Sequence, residues 1–312
     1  MRVFYGLDHL DEIKNPVFTT GTFDGVHVGH RKIIEQLNSI ADKVNGESVL
    51  FTFHPHPRMV VFPDQHDLKL ILKQEEKIKR LQESGLKNLI VFPFTKAFSK
   101  LSALDYVKEI LVDKIKVNTV VVGHDHRFGK NREGDYNQLL EFGRMFDFRV
   151  EEIPAVDIDQ VNVSSTKIRN ALFEGDIETA NKYLTYPFVL GGRVVKGKRL
   201  GSTIQFPTAN IEVNDIHKLI PQNGVYVVEG TIRNKEGRIK GMMNIGTKPT
   251  VTSSNRVSIE VHFFDWNDNI YGEYVEVSLL KRIRNEQKFE NIEALKQQLH
   301  KDKLDALSFF AD

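Results

Sequence analysis

The sequence predicts two folded units in series. The first is an α/β half built on a parallel sheet; the second is an all-β half that reads as an antiparallel sandwich or small barrel, closed by a helix. Three observations carry this. The length of 312 residues suits about two domains. Up to about residue 185, short β-branched or aromatic runs alternate with helical patterns. After Tyr186-Pro187 the rhythm changes to closely spaced strand patterns separated by turn residues. No repeat or low-complexity linker marks the junction, so the units 1–185 and 186–312 rest on this change of period.

Val17-Phe18-Thr19-Thr20 predicts the first strand, followed by a glycine-bearing turn. The first helix takes Ile33, Ile34, Leu37, Ile40, Ala41 and Val44 as its apolar stripe, with Gly46 as its stop. Val49 to Phe53, Leu89 to Phe92 and Val120 to Val122 predict further strands, spaced by helical stretches at Gln74 to Gln82 and Ala103 to Val112; Arg149 to Ile153 is expected as a fifth. In the second half strands are expected over Phe188 to Val195, Val225 to Ile232, Ile239 to Ile245, Val257 to Phe264 and Tyr274 to Leu280. The final helix, from Asn291, is expected to bury Ile292, Leu295, Leu299 and Leu304.

Composition narrows the function. With 43 Lys+Arg against 42 Asp+Glu the formal charge is +1, which leaves no basic excess to compete for a polyanion. The lack of Cys excludes a disulfide framework, a Cys-based zinc site and a cysteine nucleophile, and it suits a reducing compartment. The opening MRVFYGLDHLDEIKN reaches Asp8 and further charges before any apolar core of signal-peptide length. No apolar run approaches the roughly 18 residues of a membrane span. A soluble cytoplasmic protein with no nucleic-acid or membrane partner is expected.

Gly21-Thr22-Phe23-Asp24-Gly25-Val26-His27-Val28-Gly29-His30 joins the first strand to the first helix. His27 and His30 face the same way at the helix start, beside unpaired backbone N–H groups and the positive end of the helix dipole. Phosphate is favoured there. Gly25 and Gly29 carry no side chain to hold a ligand off the backbone. The alternative is a tight strand-to-helix turn bearing two surface histidines. Val163-Ser164-Ser165-Thr166-Lys167-Ile168-Arg169 opens another helix, where cap hydroxyls and two cations make either a second anion cradle or merely a capped helix.

These two segments resemble the HxGH and SSTxIR signatures of the nucleotidyltransferase superfamily, and GTFDGVHVGH resembles its FAD synthetase branch. His54-Pro55-His56-Pro57 and Gly123-His124-Asp125-His126-Arg127-Phe128-Gly129 look like the flavin-side loops of that branch. The chain departs from its pattern at His126, where the family carries Phe. The resemblance implies a Rossmann-like domain that transfers AMP from ATP to FMN, releasing pyrophosphate. It implies ATP contacts by Gly21, Phe23, Gly29, Ser164, Ser165 and Thr166, phosphate contacts by His27 and His30, a pyrophosphate contact by Arg169, and flavin contacts by His56, Asp125, Arg127 and Phe128.

In the second half, Gly197 and Gly201 beside Lys196, Lys198 and Arg199 suit a basic loop over phosphates or a charged hairpin tip. In the extended segment Pro207-Thr208-Ala209-Asn210, Thr208 and Asn210 share a face and offer neutral oxygens to a hard cation such as Mg²⁺. Glu260 and His262 share one face of the strand Ser258 to Asp265, opposite Ile259, Val261 and Phe263. A carboxylate there is either an outward polar residue or a base, because burying it unpaired is costly.

PTAN, IEVHFFDW and Asn269-Ile270-Tyr271-Gly272, with Asn223 to Tyr226 and Asn244 to Thr250 between them, resemble riboflavin kinase. The resemblance to the bacterial bifunctional riboflavin kinase/FAD synthetase family then spans essentially the whole chain. It implies a small closed antiparallel barrel with a terminal helix, in which ATP phosphorylates the riboflavin 5′-hydroxyl. Implied roles are ATP binding by Gly197, Lys198, Gly201, Thr208 and Asn210, Mg²⁺ ligation by Thr208 and Asn210, proton acceptance by Glu260, and flavin cover by Arg284. Gln205 departs from the family's Gly. Small molecules, namely riboflavin, FMN, FAD and ATP, are the implied partners. Two other readings stay open: a nucleotidyltransferase for another acceptor, against which the PTAN and Glu260 segments argue, and a flavin-responsive binding protein without turnover. A class I aminoacyl-tRNA synthetase shares the paired-histidine logic but lacks a tRNA-binding extension.

Overall fold

Six strands of the first unit pair in parallel: β1 (Arg2–Tyr5), β2 (Pro16–Thr20), β3 (Glu47–His54), β4 (Asn88–Pro93), β5 (Thr119–Gly123) and β6 (Arg149–Ile153), in the order β1-β4-β3-β2-β5-β6. The computed structural model describes residues 1–64, 67–123, 126–153, 163–197, 204–233, 235–248, 256–266 and 268–311, and divides into units Met1–Ser165 and Thr166–Asp312. Val17, Phe18, Val49, Leu50, Phe51, Leu89 and Ile90 are buried, as continuous apolar runs are in a sheet covered on both faces. The sheet has one strand more than the sequence suggests, because β1 is a short, partly exposed edge with too few residues to show a period. It is fixed by pairing with β4, and Arg2 Nε donates to Asn88 Oδ1 at 2.9 Å.

Helices α1 (Val28–Lys43), α2 (Pro57–Val61), α3 (Gln74–Glu83), α4 (Ala103–Asp105) and α5 (Tyr136–Phe146) connect the strands, with a π-helical run Tyr106–Lys114 continuing α4. Helix α1 buries Ile34, Leu37, Ile40 and Ala41 of the expected stripe, and the Gly46 N–H closes its end on the Ala41 carbonyl at 2.8 Å. The strand order sets the site. From β2 the chain builds outward to β3 and β4 on one side and to β5 and β6 on the other, so a topological switch lies between β2 and β5. Ligands of such sheets bind outside the carboxyl ends at that switch. Gly21 to His30 leaves β2 there, and the segment after Gly123 leaves β5.

In the second unit, α6 (Ser165–Glu174, reaching back one residue into the first) and α7 (Ile177–Leu184) precede β7 (Phe188–Val195), β8 (Ala209–Glu212), β9 (Gly224–Ile232), β10 (Ile239–Lys248), β11 (Arg256–Phe263) and β12 (Tyr274–Arg284). These strands close into an antiparallel barrel, β10-β11-β8-β7-β12-β9, which leaves no sheet edge open. The barrel alternative is therefore the observed one. Helix α8 (Ile292–Phe309) starts on Asn291, whose side chain accepts from the Ala294 N–H at 2.8 Å. Its inward stripe agrees with expectation in part: Leu295 and Leu299 pack against the core around Phe206 and Val227, but Asp302 and Ala306 are buried, whereas Ile292 and Leu304 are 57% and 67% exposed. The cause is Arg284 on β12, whose guanidinium grips both oxygens of Asp302 at 2.8 and 2.7 Å and turns that face inward.

Candidate functional site

The turn from β2 into α1 is built around a stack of three rings. Phe23 and His30 stack with centroids 4.4 Å apart, and His30 and His27 at 3.7 Å. Gly21 makes the stack possible, since a Cβ there would lie 2.8 Å from the Phe23 ring. His27 caps α1, and its Nδ1 accepts from the His30 N–H at 3.4 Å. That bond leaves Nε2 as the protonated nitrogen of the neutral His27 ring. The His30 Nδ1 is out of solvent, with no hydrogen-bond partner among the described residues. Burial first, then His27 and Lys77, hold the His30 pKa well below the usual histidine value, so the ring is neutral at physiological pH.

The backbone of this turn is strained. Phe23 and Val26 have φ of 48° and 37°, a left-handed conformation unfavourable for bulky and β-branched side chains. Several bonds hold it. The Thr22 carbonyl accepts from the Thr52 hydroxyl and the Lys77 ammonium, both at 3.3 Å. The Asp24 carboxylate accepts from the Ile71 and Leu72 N–H groups at 3.1 Å, and its backbone carbonyl accepts from the Ser165 hydroxyl at 2.8 Å. Asp24 is thus committed to the scaffold rather than poised as a base.

Ser165 is therefore brought to the histidine motif. Ser164 precedes it; Thr166, exposed, and Arg169, half-buried, continue α6 in the second unit. Gly29 lies in the first turn of α1. His56 is half-buried and caps α2 through Nδ1, accepting from the Arg58 N–H at 3.2 Å. Asp125 lies outside the described residues. Arg127 is exposed and pairs with Asp135 at 3.4 Å, while Phe128 belongs to the core and stacks with His126 at 5.9 Å. The imidazole at 126 thus keeps the planar, stacking character of the aromatic it replaces. Sequence reasoning missed a row of half-buried rings, Phe53, Phe94 and Phe98, spaced 5.2 to 5.8 Å at and after the carboxyl ends of β3 and β4.

The second site lies on the barrel. Glu260 on β11 faces Asn210 of β8 across one ladder and Asn244 of β10 across the other. The Thr208 hydroxyl lies 3.5 Å from Glu260 Oε2, a long hydrogen bond. Thr208, Asn210 and Glu260 are thus brought together as expected. Beyond the end of the β8–β11 ladder, His262 Nδ1–H donates to the Pro207 carbonyl at 2.8 Å, and burial lowers the His262 pKa. The oxygens of Thr208, Asn210 and Glu260 are hard donors, a set that suits Mg²⁺.

Gly197 lies two residues past the end of β7, against Asn210, where a Cβ would collide with the Asn210 amide. Lys198 and Gly201 lie outside the described residues. Gln205 is exposed at φ 67°, a conformation that favours Gly. Arg284 is engaged by Asp302, as above, and also lies 5.7 Å over the Phe289 ring. A cavity of about 200 Å³ opens beside Thr208, walled by Val194, Phe263, Trp266, Ile270 and Tyr271. Its aromatic wall is the second feature that sequence reasoning missed, although the sole Trp, in IEVHFFDW, was a signal for it.

Comparison with known proteins divides the chain in the same sense. A family model described as FAD synthetase matches residues 10–167, and one described as riboflavin kinase matches residues 184–310. A bifunctional riboflavin kinase/FMN adenylyltransferase from Buchnera aphidicola is 38% identical, over 97% of this chain and 96% of that protein. The protein of the same name from Escherichia coli K12 is 36% identical, over 99% and 98%. A crystal structure named as a macrolide-efflux protein from Streptococcus pneumoniae superposes with a TM-score of 0.87 at 30% identity, over 97% of this chain and 98% of that one. Among the described residues of this chain, no helix is long and apolar enough to cross a membrane.

Proposed function

The chain belongs to the bifunctional riboflavin kinase/FMN adenylyltransferase family, phosphorylating riboflavin to FMN and adenylylating FMN to FAD, and we propose that its residues divide the two reactions as follows. In the first half an FMN phosphate oxygen attacks the α-phosphorus of ATP as the bond to pyrophosphate breaks. The nucleophile is already ionised, so the work is in-line positioning and neutralisation of charge. His27, through Nε2–H, and His30 donate to the ATP phosphates beside the positive end of α1. Gly21, Phe23 and Gly29 shape the nucleotide's seat. Ser164, Ser165, Thr166 and Arg169 serve the departing pyrophosphate. His56, Asp125, Arg127 and Phe128 take the flavin, for which the rings of Phe53, Phe94 and Phe98 offer a stacking surface.

In the second half Glu260 accepts the proton of the riboflavin 5′-hydroxyl as its oxygen attacks the γ-phosphorus of ATP, and ADP leaves. Thr208 and Asn210 hold Mg²⁺, which when bound neutralises phosphate charge. Gly197, Lys198 and Gly201 cover the phosphates, and the cavity walled by Trp266, Ile270 and Tyr271 takes the nucleoside. Arg284 acts at the flavin's cover through its hold on α8. The working boundary is 185/186, and the compartment is the cytoplasm. The observation that carries this division is the contrast between a clamped Asp24 and a Glu260 set beside Thr208 and Asn210. Purified protein incubated with riboflavin and MgATP, its flavins separated by chromatography over time, tests it. FMN followed by FAD is expected; FMN alone, or neither product, overturns the reading.

A further inference from the structure

Lys77 is buried, 8% exposed, on the face of α3 that also buries Leu81. Its ammonium donates to the Thr22 carbonyl at 3.3 Å and the Thr52 hydroxyl at 3.2 Å, two neutral acceptors. A buried ammonium costs several kcal/mol in lost hydration, and a Met of similar length fills the same space without that cost. The charge therefore needs a use. Thr22 lies inside the histidine motif, immediately before the strained Phe23, and Thr52 lies on β3 and bonds to the same carbonyl. Among the described residues, Asp24 in the turn acts on this ammonium, and the ammonium in turn acts on the His30 ring at the start of α1.

We propose that Lys77 is a positioning residue of the adenylyl-transfer reaction. Its ammonium fixes the Thr22 carbonyl beneath the Phe23 to Val26 turn and supplies a fixed positive field behind His30, toward which the phosphates of ATP are drawn. The proposal rests on the assignment of ATP phosphates to His27 and His30. It explains why a cation is buried behind a turn whose own donors, the imidazoles and helix N–H groups, are neutral. Such a field acts in low dielectric and needs no reorganisation as charge develops. Burial pulls the Lys77 ammonium down to about 8, with Asp24 opposing. The field is therefore present at neutral pH and lost as the solution becomes alkaline, whereas an arginine in its place keeps its charge.

The test measures kcat/KM for FAD formation from FMN and MgATP across roughly pH 6 to 10, a profile that reports groups of the free enzyme. Wild type, Lys77→Arg, Lys77→Met and His30→Ala are compared, with riboflavin phosphorylation by the same preparations as the folding control. Wild type is expected to lose FAD formation above about pH 8, and Lys77→Arg to hold its activity further into the alkaline range. Lys77→Met is expected to be about 100-fold slower at neutral pH, as a displaced support produces, with phosphorylation unchanged. A flat wild-type profile to pH 10, or superimposable alkaline limbs for wild type and Lys77→Arg, overturns the proposal even if the Met variant fails to fold. Loss of activity in His30→Ala alongside such unchanged Lys77 profiles removes Lys77 alone; retained activity in His30→Ala removes the site assignment itself.

Discussion

The two halves use their carboxylates in opposite ways. In the first, Asp24 is 4% exposed and spends both oxygens on the backbone N–H groups of Ile71 and Leu72. In the second, Glu260 stands half-buried on a barrel strand, with the Thr208 hydroxyl 3.5 Å from its Oε2 and Asn210 and Asn244 across its two ladders. The difference follows from the acceptor. FMN brings a phosphate that has already lost its proton, so the first site needs donors and a rigid turn. Riboflavin brings an alcohol, so the second site needs somewhere for a proton to go. On the proposed division of residues, one chain answers two kinds of phosphoryl chemistry with the same nucleotide.

The strongest way to break this comparison is His30→Ala. The substitution empties the middle of the Phe23–His30–His27 stack and removes a donor placed by the helix start. FAD formation from supplied FMN should fall by about 10³-fold, the scale of losing one preorganised donor. Riboflavin phosphorylation by the same preparation should be unchanged. If both rates drop together while the fold is intact, the sites are coupled and the contrast drawn here is wrong.

Glu260→Gln is the converse, and somewhat milder. It keeps size and polarity while deleting the proton acceptor, so phosphorylation should fall by about 10² to 10³-fold, within the range typical of general-base loss. Conversion of FMN to FAD should continue at the wild-type rate. A Gln variant that still phosphorylates riboflavin within a few-fold of wild type would transfer the base role elsewhere, and His262 on the same strand face is the first place to look.

How much of this was legible beforehand depends on range. The β2–turn–α1 unit could be read because the period switches from 2 to 3.6 within a few residues and glycines mark the turn. The barrel strands could be read from alternation, which left sandwich or barrel open; closure came only with the family resemblance, because it depends on β8, whose ladder with β11 is short, Glu260–Asn210 and Val261–Ala209. Lys77 sits in QEEKIKRLQE, where charge is everywhere; its place four residues before buried Leu81 is the local sign of burial, and its contact with Thr22 comes from 55 residues away. Asp302 misleads in the same manner, because its hydrogen bonds from Arg284 and Gln298 let a charged residue form the inward face of α8.

A smaller effect sharpens the description of the second site alone. Gly197→Ala sets a methyl against the Asn210 amide that faces Glu260. Either Asn210 turns or β7 shifts, and the KM for MgATP in phosphorylation should rise by about tenfold, corresponding to roughly 1.4 kcal/mol. The KM for ATP in FAD formation should not move. An equal rise in both would mean that Gly197 acts on stability rather than on the nucleotide, and a melting measurement on the same variant separates the two.

The smallest expected effect concerns Gln205, which holds φ at 67° just ahead of the Phe206-Pro207-Thr208 segment. A side chain in that conformation costs roughly 1 kcal/mol or more, partly offset in Gly by the greater freedom of its unfolded chain. Gln205→Gly should therefore stabilise the protein by about 0.5 kcal/mol, a rise in melting temperature of a degree or two. The residue is exposed, so no packing is lost. FAD formation should be unaffected, since none of the residues assigned to it lies on the barrel strands. A fall in melting temperature would show that Gln205 makes a stabilising contact outweighing its backbone strain, and that this departure from the family's glycine is an adaptation of the kinase half rather than a tolerated cost.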